Sequence, residues 1–348
     1  MTQVIQLDYD RPQQEAIKLA AEIIRRGGLV AFPTETVYGL GADAMNEAAV
    51  QRIFEAKGRP ADNPLIVHVA GREMLDLVAN NVSEKAERLL KRFWPGPLTL
   101  VLPRNPHLAP SVSAGLSTVA VRMPKNEIAL ALIRAAETPI AAPSANVSGR
   151  PSPTSAAHVL DDLGGRIDMI LDGGPTNIGI ESTVLDVTGD PPAILRPGWI
   201  TREMLSEVIG PVDRPATAEE LRHSPGTRHR HYSPTARVVL IERGSAQLIE
   251  RVCRENLKAG SVGYIGHTRV AIDDQSFHSV RLSAHAEDYG NSIYAALREL
   301  DKADSRVIVV EGISEQGQGA AVMDRLRRAA SEVIANDQVA PTQFSCES

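Results

Sequence analysis

Residues 29–69, LVAFPTETVYGLGADAMNEAAVQRIFEAKGRPADNPLIVHV, leave the chain few choices of fold. The run Leu29-Val30-Ala31-Phe32 has the length of a buried strand. Pro33 ends it, and Thr34, Glu35 and Thr36 place three polar side chains just beyond the strand's carboxyl end. Open α/β sheets put their ligands there. An amphipathic helix follows, with Val50, Ile53 and Phe54 at the i, i+3, i+4 spacing of one buried face. Lys57 falls in its last turn, Gly58 suits the left-handed position after a helix end, and Pro60 blocks continuation. A second apolar run, 65–69, comes next. Strand, polar turn, helix and strand in this order imply a sheet with helices packed on it.

The same stretch carries candidate chemistry. Lys57 and Arg59 flank the helix stop with Asn63 close by, and two cations so placed can grip phosphate. Both are expected to be exposed to solvent. A plainer account also fits, in which Lys57 complements the helix dipole and Arg59 is solvated. Gly39-Leu40-Gly41-Ala42-Asp43-Ala44 imitates the dinucleotide fingerprint G-x-G-x-x-A, but that pattern alone is weak. His68 lies in an apolar strand, where a histidine is more often a core residue than a ligand.

The α/β pattern continues through residue 209. An opening helix buries Ile17, Ala20, Ala21 and Ile24 and stops at Gly27. Ser83 caps a helix facing inward through Ala86, Leu89, Leu90 and Phe93, and a strand follows over 98–102. Over 118–123 a period of two puts Thr118, Ala120 and Arg122 on one face and Val119, Val121 and Met123 on the other. The pattern alone fits a polar ligand-facing strand or an edge with an exposed arginine. A helix over 127–137 and a short strand over 139–143 deliver Ser144 and Asn146. No G-x-S-x-G elbow surrounds Ser144, so it reads as a hydrogen-bonding group rather than a nucleophile. Further strands are expected near 169–171 and 183–187.

Residues 210–235 are punctuated rather than periodic and read as a linker, with Pro225 and Pro234 flanking Gly226, Arg228, Arg230, His231 and Tyr232. His229 and His231 lack further clustered ligands for a metal. From 236 to 337 strands near 238–241, 261–265, 280–282 and 307–310 alternate with helices near 246–257, 289–300 and 321–334, as in a small parallel sheet. The glycines over 312–319 lack the P-loop pattern, and nothing in this part announces chemistry. The polar tail, 338–348, is expected to be disordered. At 348 residues, two domains are the ordinary expectation. Only two cysteines are present, Cys253 and Cys346, so no disulfide framework is indicated and a reducing compartment is the simplest reading. With no signal peptide or membrane span either, the chain is expected to be cytoplasmic. The net charge of −6 gives no sign of the basic excess usual in a dedicated nucleic-acid binder.

The runs PTETVYGLGADA, KGRPADNPLIVHV and PSANVSG resemble the YrdC-like threonylcarbamoyl-AMP synthases, whose paired K-x-R and S-x-N signature is matched by Lys57-Gly58-Arg59 and Ser144-Ala145-Asn146. The resemblance covers residues 12–205 strongly, and the remainder resembles the second domain of the family's long form. It implies a YrdC-like twisted open sheet with flanking helices over 1–209, then a linker or lid over 210–235. A smaller Rossmann-like α/β domain would occupy 236–337. It further implies that ATP, L-threonine and bicarbonate give threonylcarbamoyl-AMP and pyrophosphate, with Mg²⁺ entering on the ATP phosphates. The product would pass to the tRNA-threonylcarbamoyl transferase machinery that modifies adenosine 37 of ANN-decoding tRNAs; direct tRNA contact is open.

The residue roles carried by the resemblance are these. Lys57 and Arg59 would be catalytic and, with Asn63, Thr118, Ser144, Asn146, Ser152, Arg196 and Tyr232, would bind ATP. Thr36, His68, Arg122, Ala142 and Ser182 would bind threonine. Two alternatives share the fold: an RNA-binding or ribosome-associated protein, and a carbamoyl-handling hydrogenase-maturation enzyme. The latter carries zinc-finger cysteine motifs that two scattered cysteines cannot supply.

Overall fold

The structure is a computed structural model and describes residues 1–8, 12–212, 215–224 and 232–335. The expectations for Pro225, Gly226, Arg228, Arg230 and His231, the His229/His231 metal pair and the tail over 338–348 therefore lie outside the described residues.

The first sheet has ten strands: β1 (Gln3–Gln6), β2 (Val30–Phe32), β3 (Gly39–Asp43), β4 (Ile66–His68), β5 (Leu98–Pro103), β6 (Thr118–Arg122), β7 (Ile140–Ala141), β8 (Met169–Asp172), β9 (Thr183–Asp186) and β10 (Ala193–Arg196). Their order is β1-β8-β2-β3-β7-β4-β6-β5-β9-β10, with parallel and antiparallel neighbours mixed. β2 shows why the sheet is covered on both sides. Leu29 and Ala31 point into one core with helices Glu47–Lys57 and Glu84–Phe93, while Val30 and Phe32 point into a second with helices Gln14–Arg25 and Glu127–Ala136. A period of two with both faces apolar can be satisfied only between two helical layers.

The glycine run 39–44 forms β3, antiparallel to β2, and is not a phosphate loop. A Cβ at Gly41 would stand 2.7 Å from Phe32 and 2.8 Å from Ile140, so this glycine serves close strand packing. Helix Glu47–Lys57 ends as expected: Asn46 caps its start, and Gly58 takes the left-handed conformation at φ 59°. The exposed-edge reading of 118–123 fails, because β6 lies inside the sheet between β4 and β5 with Arg122 buried.

The second sheet comprises β11 (Arg237–Ile241), β12 (Val262–Gly266), β13 (Phe277–Arg281), β14 (Val307–Glu311) and β15 (Glu332–Ile334), all parallel in the order β13-β12-β14-β11-β15. Helices Ala246–Leu257, Ala286–Lys302 and Gly319–Ala329 cover it. The helix expected over 321–334 stops at Ala329. Ser331 N–H then donates to Val238 O, and the β-branched Val333 and Ile334 join the sheet as β15.

The two sheets share a core. Val37, Ile178 and Ile180 from the first region pack with Tyr232, Ile293, Tyr294 and Leu297. Gly179, at φ 80°, lets the loop before β9 touch helix Ala286–Lys302 backbone to backbone, since a Cβ there would lie 2.4 Å from Asn291 Cα. Arg298 closes this seam by pairing with Asp162 at 2.8 Å, both buried.

Candidate active site

A cleft with about 650 Å³ of empty space, counting its open mouth, lies between the carboxyl ends of β2, β4 and β6, the loop after β7 and the loop before β9. One end is built from the turn after β2. Thr34 Oγ1 accepts from the backbone N–H of Thr36 and of Val37 and so locks the Pro33–Val37 turn. That turn sets Thr36 Oγ1 to accept from Arg122 Nη1 at 2.8 Å. Arg122 ends β6, directly beside His68 in the register of β4 with β6. Its other terminal nitrogen pairs with Glu35 at 2.6 Å, and its Nε donates to Gly96 O. The guanidinium is thus held in one orientation by a carboxylate, a hydroxyl and a carbonyl, all buried.

His68 is 4% exposed, and burial, with Arg122 next, pulls its pKa down to about 3. The ring is neutral at any working pH, and its Nδ1 has no hydrogen-bond partner among the described residues. On the opposite wall Ser182 Oγ and Thr99 Oγ1 are 2.8 Å apart. Arg196 reaches Ser182 O and Oγ at 3.0 and 3.2 Å, turned inward by a register shift between Ile194 and Arg196 at the β9–β10 pairing. Burial lowers its pKa, but a guanidinium stays charged.

The floor of the middle section is the loop after β7. Ala142 and Ser144 line the cleft, and Ser144 Oγ donates to Asn146 Oδ1 at 2.5 Å. Asn146 also lines it, with its amide nitrogen donating to Val147 O and Arg150 O. Arg59 lines the cleft half-buried, donating to Asn63 O and Pro64 O, with its pKa pulled down to about 10 by burial. Ser152 and Tyr232 complete the wall, Ser152 donating to Glu181 at 2.5 Å.

Three expected site residues do not line the cleft: Lys57, Asn63 and Thr118. Thr118 sits half-buried at the amino end of β6, away from Arg122 at the carboxyl end. Lys57 is 1% exposed, against the expectation that it is solvated. Its ammonium donates to Ser144 O and Asn146 O, each at 2.5 Å, so it ties the helix stop to the loop after β7. Burial first, and then Arg59, pull its pKa well below the ordinary lysine value. Asn63 is fully buried, and both atoms of its amide lack a hydrogen-bond partner among the described residues. A polar group so placed costs about 1–3 kcal/mol until something pairs with it.

The site also contains groups that residue-by-residue reading did not single out. Glu35 was visible as a polar residue after a strand, but its pairing with Arg122 was not. Glu181 and Arg150 line the cleft with no local signal beyond polarity. Among the described residues no group of three or more His, Cys, Asp or Glu is placed to hold a metal ion, and no helix is long and apolar enough to cross a membrane.

Comparison with known proteins places this geometry. A family model for Sua5, YciO and YrdC proteins, described as telomere recombination, matches residues 22–198. A second, described as the threonylcarbamoyl-AMP synthase C-terminal domain, matches residues 200–331. A threonylcarbamoyl-AMP synthase of Pyrococcus abyssi is 49% identical over 331 residues, spanning 92% of this chain and 95% of its own. One from Bacillus subtilis is 48% identical over 332 residues, spanning 93% and 95%. The crystal structure of P. abyssi Sua5 complexed with L-threonine superposes with a TM-score of 0.90 at 47% identity, over 96% of this chain and 99% of that one. Escherichia coli YciO matches 56% of this chain with a TM-score of 0.51. The chain belongs to the threonylcarbamoyl-AMP synthase family, in its long, two-domain form.

Proposed function

We propose that this chain is a nucleotidyltransferase that joins L-threonine, bicarbonate and ATP into threonylcarbamoyl-AMP and releases pyrophosphate. The observation that carries the proposal is one cleft with a buried guanidinium fork among hydroxyls at one end and two further arginines at the other. The P. abyssi relative of that name and its threonine-bound structure support it.

At the first end Arg122 takes the threonine carboxylate through two parallel N–H bonds. Thr36, Ser182 and the free Nδ1 of neutral His68 address the hydroxyl and the amino group, while Ala142 leaves room for the methyl. The amine must lose a proton to add to the carbon of bicarbonate, forming a carbamate and water. A carbamate oxygen then attacks the α-phosphorus of ATP, and the bond to pyrophosphate breaks. Charge builds on phosphate oxygens during that step, and Arg59 and Arg196 stabilise it. Ser144, Asn146 and Ser152, which line the cleft, hold the nucleotide. Lys57 acts at one remove, by fixing the Ser144–Asn146 backbone. Mg²⁺ would enter with ATP and supply further positive charge at its phosphates, beside Arg59 and Arg196.

We read residues 1–209 as the catalytic unit, 210–235 as a linker whose Tyr232 covers the nucleotide, and 236–337 as a supporting domain. We read the product as a substrate for the enzymes that modify adenosine 37 of tRNA, and the chain as working in the cytoplasm. Mass spectrometry of the product made from ATP, L-threonine and ¹³C-bicarbonate tests the reading: one ¹³C should appear in a threonylcarbamoyl adenylate. AMP alone, or an unlabelled threonyl adenylate, would refute it.

A further inference from the structure

Two side chains of the second sheet's helices reach the wall of the cleft. Arg325, on helix Gly319–Ala329, is 1% exposed and pairs through Nε with Glu181 at 2.8 Å. Its Nη2 donates to Pro197 O at 3.0 Å, its Nη1 pairs with Asp324, and its guanidinium carbon lies 5.5 Å from the centre of the Tyr232 ring. Tyr294, on helix Ala286–Lys302, donates to the same Glu181 oxygen at 3.1 Å and stacks on Tyr232 at 5.6 Å.

Glu181 is an anomaly where it stands. It lines the cleft beside Arg59 and Arg196, the cations assigned to ATP, yet brings a negative charge to a place meant for a triphosphate. Burial raises its pKa, but Arg325 and then Arg196 outweigh that and hold it below the usual carboxylate value. It is therefore ionised, and some partner must neutralise it. Arg196 is shared with Ser182 and lies in the cleft; Arg325 approaches from behind, out of the ligand's reach.

We infer that Arg325 of the second domain is a positioning residue for the first domain's reaction: it neutralises Glu181 so that the cleft stays positive where ATP binds. The inference rests on the reading that ATP phosphates occupy this part of the cleft. It gives the second domain a defined task, since without helix Gly319–Ala329 the catalytic wall would carry an uncompensated buried carboxylate. The groups facing Glu181 are Arg325 and Tyr294 from the second domain, Arg196 from β10, Tyr232 and the Ser152 hydroxyl.

The test is the kinetics of threonine-dependent pyrophosphate release by the full chain. Arg325→Met should raise KM for ATP roughly tenfold or more, because an unpaired carboxylate in the cleft wall repels the phosphates at the low effective dielectric of a protein cleft. KM for threonine should change less than twofold. Arg325→Met/Glu181→Gln should recover most of the loss, since a neutral pair of similar shape replaces the ion pair. Glu181→Gln alone should lower KM for ATP, because Arg325 then adds uncancelled positive charge behind the cleft, and this variant decides the matter if Arg325→Met does not fold. A strut that acts only by holding shape gives the opposite results: no rescue by the double variant, and an unchanged or raised KM in Glu181→Gln. Any of those overturns the inference. Failure of the ATP reading is distinguishable, because Arg196→Lys would then leave KM for ATP at the wild-type value.

Discussion

Lys57→Met is expected to weaken the fold before it weakens chemistry. The lysine stem is replaced by one of similar length, so apolar packing is kept, but the ammonium bridge to Ser144 O and Asn146 O is lost. Hydrogen bonds from a charged donor are worth about 1.5–3 kcal/mol each, or about 3–6 kcal/mol for the two if they add. Removing a buried ammonium returns part of this, because its desolvation is no longer endured. A net loss of about 2–3 kcal/mol is expected, read from the urea midpoint. The loop after β7 then loosens, and KM for ATP should rise with it. Arg59→Met gives the contrast: that side chain is half-buried and opens on the cleft, so activity should fall steeply while the midpoint moves little. A Lys57→Met protein as stable as wild type, with kcat lost and KM for ATP unchanged, would mean that Lys57 touches the phosphates directly and would refute this placement.

Three further outcomes follow from the same geometry. His68 has a folded pKa of about 3 against about 6.5 unfolded, so its contribution to stability is lost as pH falls below 6.5; wild type should lose about 2 kcal/mol between pH 8 and pH 5 from this group. His68→Gln should abolish that part of the slope in urea titrations, and an unchanged slope would show that the ring is not buried neutral. Serine lacks only the threonine methyl, worth about 1–3 kcal/mol, so it should compete moderately. Valine strands the polar groups meant for the hydroxyl and should be rejected far more strongly, so similar kcat/KM for valine and threonine would contradict the assignment of this subsite. Gly179→Ala combines a left-handed backbone with a 2.4 Å approach to Asn291 Cα and should cost more than about 2 kcal/mol in a thermal melt; a neutral substitution would show that the seam between the two sheets is loose.

Much of the first sheet could be read from local patterning, and the reasons for the failures are physical. The 47–57 helix carried its own face and stop, and the 118–123 alternation placed Arg122 on a polar face. The Ser144–Asn146 loop announced itself through a motif. What escaped was long-range. Glu181 meets Arg325 across 144 positions, and Lys57 meets Ser144 across 87, and neither pairing leaves a periodic trace. Burial of Lys57 was misjudged because a cation in a last helical turn is ordinarily solvated, and only the returning loop covers it. The glycines of β3 imitated a phosphate loop because close strand packing and close ligand approach both demand a missing Cβ. β1, with the sequence Gln-Val-Ile-Gln, sits at a sheet edge with three of its four residues exposed and Ile5 half-buried, which leaves little apolar signal. β15 was absorbed into the preceding helix because three residues are too few to show alternation.

The measurement that bears most directly on the account is the pair of KM values, for threonine and for ATP, in Arg122→Lys and Arg196→Lys. Lysine keeps the charge at either position but cannot form the two-pronged contact. Arg122→Lys should raise KM for threonine by roughly tenfold, one lost hydrogen bond to a charged group, with KM for ATP unmoved. Arg196→Lys should raise KM for ATP and spare threonine. If each variant shifts both constants alike, or the two effects are exchanged, the cleft does not divide into a threonine end at Arg122 and a phosphate end at Arg196.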